Sequence, residues 1–95
     1  MGGDRKALRL IVEGRVQGVG FRAWMVDVAS RAGVDGWVRN RRDGTVEAVV
    51  AGPVGAVEQV VAAAREGPAM SRVTNVREER ADDRVGPGFD AAPTV

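Results

Sequence analysis

Apolar and polar residues change period several times along the chain, and each change marks an element. Leu8, Leu10 and Val12 alternate with Arg9, Ile11 and Glu13, the two-residue period of a strand with one strongly apolar face and one mixed face. Such a strand suits a sheet covered by helices on one side. From Phe21 the period lengthens. Phe21, Trp24, Met25, Val28, Ala29 and Ala32 fall at helical spacing, a continuous stripe that reads as core rather than as the wall of a ligand site, and Gly33 is placed to end the helix. Gly36 to Asn40 predicts a second short strand, Asp43-Gly44 a hairpin turn, and Thr45 to Ala51 the returning strand with Val46, Ala48 and Val50 on one face. Pro53 suits the start of a helix, whose stripe is Val57, Val60, Val61 and Ala64 and which Gly67-Pro68 stops. Arg72 to Glu79 predicts a less apolar strand, residues 80 to 88 an exposed loop, and Gly88 to Ala92 a short final strand before Pro93. Residues 1 to 6 read as a loose polar tail without a site, which leaves residues 7 to 95 as a single domain.

Strand, helix, strand, strand, helix, strand is the split βαβ order of a ferredoxin-like α+β sandwich (βαββαβ), an antiparallel sheet with two helices on one face. In that order the first and second strands are joined by a helical crossover, so they run parallel with another strand between them. Their C-terminal ends, Gly14 and Asn40, emerge on one edge of the sheet about 10 Å apart, two strand spacings.

Composition narrows the chemistry. The chain has 95 residues, 44% of them apolar, enough for one small core. Fourteen basic and thirteen acidic side chains leave a net charge of +1, so no overall field recommends a nucleic acid or an anionic membrane as partner. A ferredoxin-like RNA-binding module would stack bases on aromatic residues of its central strands, and Leu8 to Val12 and Thr45 to Ala51 carry none. Cysteine and histidine are both absent, which removes disulfides, thiol nucleophiles, histidine bases and the usual zinc ligands. The apolar runs are too short to span a bilayer, and Met1 to Lys6 matches neither a secretory signal nor a myristoylation site, so the expected location is the cytoplasm.

One stretch stands apart, Gly14-Arg15-Val16-Gln17-Gly18-Val19-Gly20-Phe21-Arg22, where the first strand gives way to the first helix. A glycine-rich turn there can aim successive N–H groups into one concavity, beside the positive end of a helix, and Arg22 adds a planar fork matched to phosphate oxygens. The stretch lacks the Lys-Ser/Thr ending of a P-loop and the spacing of a dinucleotide fingerprint. On chemistry alone two readings stand: an anion site for a phosphoryl group, or a tight turn with a solvated arginine. Arg39, Arg41 and Arg42 read as a solvated hairpin tip that at most attracts anions, and Glu58 and Glu66 as solubilising residues of the second helix.

This stretch, followed by Gly36-Trp37-Val38-Arg39-Asn40 and then by Asp43-Gly44-Thr45-Val46-Glu47, closely resembles both signature segments of the acylphosphatase family, in order and at the usual separation. The resemblance covers roughly residues 7 to 79. It implies hydrolysis of the carboxyl–phosphate bond of acyl phosphates to a carboxylate and inorganic phosphate. By the same resemblance Arg15, Val16, Gln17, Gly18, Val19, Gly20, Phe21 and Arg22 form the phosphate-binding loop, Arg22 binds the phosphoryl group and Asn40 positions the attacking water. No metal, cofactor or covalent phosphoenzyme is implied; the partners are a small acyl phosphate and inorganic phosphate, with no nucleic acid or membrane, and the protein is expected to be a monomer. The family closes with a more hydrophobic strand than Ala91 and Ala92 provide, a departure that bears on the last strand more than on the site. Two rival readings stay open, a non-catalytic domain that merely binds an anion, which turnover separates from an enzyme, and kinship with the acylphosphatase-like domain of larger carbamoyl-transferring maturation proteins, which the chain length disfavours.

Overall fold

The computed structural model describes residues 4–95, and Met1 to Gly3 of the expected tail lie outside the described residues. The elements are β1 (Arg5–Arg15), α1 (Phe21–Ala32), β2 (Asp35–Asn40), β3 (Val46–Pro53), α2 (Val54–Glu66), β4 (Arg72–Arg80) and β5 (Phe89–Ala91). Strand β1 starts at Arg5, earlier than the polar side chains suggest, because Arg5 and Lys6 pair with Pro53 and Gly52 of β3. Pairing is made by backbone groups, which polar side chains do not prevent.

Sheet order is β4-β1-β3-β2-β5. The first four strands form the expected antiparallel arrangement, in which β1 and β2 run parallel on either side of β3. The short final strand expected within Gly88 to Ala92 forms as β5 and pairs parallel with β2, so the five-stranded sheet is mixed and not wholly antiparallel. To reach that edge from β4 the chain must traverse the whole sheet. The Ala81 N–H donates to the Ala7 carbonyl at 3.2 Å, Arg9 meets Asp83 at 2.6 Å, and the Gly88 N–H donates to Asp35 Oδ1 at 2.8 Å. Residues 81–88 are thus a strap across the face away from the helices. Phe89 is buried, and pairing continues beyond β5, with Ala92 N–H to the Val38 carbonyl at 2.8 Å and Val95 N–H to the Asn40 carbonyl at 3.2 Å. One aromatic anchor and a run of backbone bonds therefore hold a terminal segment whose own side chains are small.

Both helices cover the other face. The α1 stripe buries Phe21, Met25 and Ala29, the α2 stripe buries Val57, Val60, Val61 and Ala64, and both pack on Leu10, Val12, Val38, Val46, Ala48 and Val50. This is the periodicity of the sequence realised, with one contiguous core. On the strap side Ile11 and Val49 are buried together with Glu47. A buried carboxylate is tolerable only when paired. Arg9 Nη1 reaches it at 3.1 Å and Arg39 Nε at 2.8 Å, and the Arg39 guanidinium lies 4.5 Å from the Trp37 ring centre. The hydrogen bond to Asp83, with the nearby carboxylate of Glu47, holds the Arg9 guanidinium above its ordinary pKa.

Between Glu13 and Gly14 the β1–β4 register shifts by one residue, with Thr74 of β4 left over, and pairing resumes at Gly14 with Val73 and Arg15 with Arg72. Gly14 has φ 121°, and a Cβ there would sit 2.2 Å from the Arg72 carbonyl oxygen. We predict that Gly14→Ala lowers stability by more than about 2 kcal/mol, since the strain cannot be relieved by moving a side chain. The control is Gly55→Ala in α2, where a Cβ meets nothing within 4 Å. It should be stabilising by about 0.5–1 kcal/mol, the difference in helix propensity. Urea unfolding of both variants checks the pair, and equal midpoints would contradict it.

Candidate active site

Past Arg15, the last residue of β1, residues 16–20 form a loop that leads to the first turn of α1. Gly20 is the residue before the helix, with φ 79° and ψ 18°, a left-handed conformation that a side chain would strain. No side chain caps this helix and its first turn carries no acidic residue. The N–H groups of Phe21, Arg22 and Ala23 precede the first intrahelical bond, from Trp24 N–H to the Gly20 carbonyl at 3.0 Å, so they remain free to meet an anion.

The residues that carry these groups line a pocket. A cavity of about 280 Å³ is lined by Val16, Gly18, Gly20, Phe21, Arg22, Ala23, Asn40 and Ala91. Arg22 and Asn40, predicted from separate segments, are therefore brought to one cleft by the parallel placement of β1 and β2. Arg22 is exposed, and no carboxylate among the described residues pairs with it. Asn40 is half-buried at the end of β2, and its side chain makes no hydrogen bond to protein among the described residues. A polar amide left open toward a cleft beside a free guanidinium can hold a water next to an anion.

Not every residue of the expected loop reaches the cleft. Arg15, Gln17 and Val19 are absent from its lining; Val19 packs on the core, and the side chain of Gln17 turns to the hairpin. Of the hairpin arginines, Arg39 is committed to Glu47 and Trp37 on the opposite face, and Arg41 approaches Asp43 at 3.9 Å. The turn itself is held by Asp43, whose Oδ1 accepts from Thr45 Oγ1 at 2.6 Å and Thr45 N–H at 2.9 Å. These two bonds keep the Asp43 carboxyl below its ordinary pKa. Ala23, one residue past the expected loop, and Ala91 are the lining residues that sequence reasoning missed, and Ala91 comes from the far end of the chain. Its small side chain, seen only as a weakness of the last strand, leaves the cleft open where a larger residue would narrow it.

Residues 8–91 match the sequence profile of the acylphosphatase family. The chain is 52% identical over 92 residues to an acylphosphatase of Rhizorhabdus wittichii, covering 97% of this chain and 93% of that protein. Its fold superposes on the crystal structure of the Bacillus subtilis acylphosphatase with a TM-score of 0.84 at 38% identity, covering 90% of this chain and 97% of that one. An acylphosphatase structure from Coxiella burnetii gives a TM-score of 0.88 at 29% identity, with 94% of each chain covered. With its glycine loop, its free arginine and its asparagine gathered at one cleft, the chain belongs to the acylphosphatase family, enzymes that hydrolyse acyl phosphates.

Proposed function

We propose that the cleft between the 16–20 loop and Asn40 is the site of acyl phosphate hydrolysis, with the loop and first-turn N–H groups and Arg22 holding the phosphoryl group and Asn40 holding the attacking water. The single observation that carries this reading is that Arg22 and Asn40, each without a protein partner among the described residues, line one pocket with the uncapped start of α1. An acyl phosphate is a mixed anhydride with a good carboxylate leaving group, so attack of water at phosphorus passes through a loose transition state that asks little of a base. A site without histidine can meet that demand. Its work is to place the water in line and to stabilise charge on the phosphoryl oxygens, through Asn40 on one side and Arg22 with the N–H groups on the other.

Turnover of a simple acyl phosphate by the purified protein, with a phosphate monoester as control, tests the reading. Activity should survive a chelator, because the sequence offers no histidine or cysteine ligands and the proposed cradle uses N–H groups and one guanidinium. Inorganic phosphate should compete with substrate, since it matches the group the cradle holds. Loss of activity on chelation that a divalent metal restores, or purely uncompetitive inhibition by phosphate, would contradict the assignment.

The same reading makes the protein a cytoplasmic monomer. The monomer is supported by the exposed large apolar residues among those described, Met70 and Val95, which are too few for a buried protein interface; no helix among the described residues is long and apolar enough to cross a membrane. Sedimentation at micromolar concentration checks the oligomeric state, and a dimer mass would overturn it.

A further inference from the structure

We propose that Gln17 is a positioning residue that locks the phosphoryl-binding loop to the hairpin carrying Asn40, and so sets the distance between the bound phosphoryl group and the water. Its Nε2 donates to the Arg41 carbonyl at 2.7 Å and to the Thr45 carbonyl at 2.8 Å. Both partners are acceptors only, so the nitrogen of the carboxamide must face them and both of its donors are used. Each carbonyl already accepts one bond within the turn, from Gly44 N–H at 3.1 Å and from Arg41 N–H at 2.9 Å. The amide fills the remaining lone pairs and closes the turn against the loop.

The fold creates the need for such a brace. The β1–β3 ladder ends at the pairing of Val12 with Val46, and the β2–β3 ladder at Asn40 with Val46, so the loop and the hairpin tip both project beyond the sheet. Among the described residues the two bonds from Gln17 are the hydrogen bonds that join residues 16–20 to residues 41–45. The loop would hold the phosphoryl group and Asn40 the water. Without the brace each half stays intact while their relation loosens, and a misplacement of about 1 Å between reactants can cost on the order of 100-fold in rate. A direct phosphate contact by the Gln17 side chain does not fit, since both of its donors are spent on the hairpin.

The inference rests on the water-positioning reading of Asn40, and the test separates the two. Gln17→Met keeps the length and apolar stem of the side chain and removes both donors. Its kcat should fall by about 10- to 100-fold, while the inhibition constant for inorganic phosphate changes by less than about 2-fold because the N–H cradle and Arg22 are untouched. In an Asn40→Ala background the same change should cost less than about 3-fold, since the water is already unplaced; interacting residues are not additive. A merely structural residue would cost the same factor in both backgrounds, and that result overturns the proposal. Gln17→Glu adds an independent readout. Ionised, its carboxylate faces two carbonyl oxygens, but protonated it can donate one bond, so kcat relative to the native protein should rise as pH falls through the carboxyl pKa. A flat ratio overturns the proposal even if Gln17→Met does not fold. Should Asn40→Ala keep normal kcat, the water-positioning reading falls and the brace with it; should Asn40→Ala lose kcat while Gln17→Met does not, only the role of Gln17 falls.

Discussion

Arg22→Lys should lower kcat/KM by at least about 100-fold although the charge is kept, because an ammonium cannot present two parallel donors to two phosphoryl oxygens. Arg22 is the second residue of α1, exposed, and without a carboxylate partner among the described residues, so nothing in the folded protein competes for its guanidinium. Substitution of such a surface residue normally changes stability by under about 0.5 kcal/mol, and the thermal midpoint should hardly move. Affinity for inorganic phosphate should fall together with turnover, since the lost fork acts on the phosphoryl group itself. A lysine variant with near-native kcat and KM would make Arg22 a solvated helix residue and leave the loop as a plain turn.

The sequence periodicities place the two helices, β1 and β3 because each of these elements has enough residues on one apolar face to declare its period, whereas β2 is read from the hairpin turn that follows it and β4, where Val73 and Val76 do not alternate, shows only a weak pattern. Phe21 to Ala32 and Val57 to Ala64 are stripes in the sequence and buried faces in the fold. Strand β5 has three residues, of which only Phe89 is buried, and its parallel pairing with β2 is set by backbone bonds and by a strap that crosses the sheet. No side-chain pattern records that. The start of β1 is hidden for the same reason, since Arg5 and Lys6 are held by what β3 offers and not by burial of their own.

The site divides along a similar line. Arg22 and Asn40 could be placed near each other in advance, because the βαβ crossover fixes which strand ends share an edge; Asn40 sits at one such end, and the short loop that leaves the other leads to Arg22 at the start of α1. The direction in which Gln17 points could not. It depends on carbonyl groups of residues 41 and 45, and backbone carbonyls carry no trace in the residue types. Glu47 is the converse case: a charged residue in a strand suggests solvent, yet it is buried because Arg9 and Arg39 converge on it from both neighbouring strands. Long-range pairing of this kind is legible only once strand order is known.

Asn40→Ala separates catalysis from mere binding of an anion. If the amide orients water and touches the phosphoryl group little, kcat should fall by about 100-fold or more while inhibition by inorganic phosphate is nearly unchanged. The competing role, stabilising the turn as asparagine often does beside hairpins, has little left to do here. Asp43 already bonds both the N–H and the hydroxyl of Thr45, and Gln17 ties the carbonyls of Arg41 and Thr45 to the loop. The Asn40 backbone is held by its pairing with Val46 and by the Val95 N–H, neither of which needs the side chain. Truncation therefore leaves no buried group unpaired, and stability should drop by less than about 1 kcal/mol. We would measure kcat, phosphate inhibition and the thermal midpoint on one preparation. A folded variant that turns over normally would end the water-positioning role, and one that melts early but recovers full kcat at low temperature would return Asn40 to the turn.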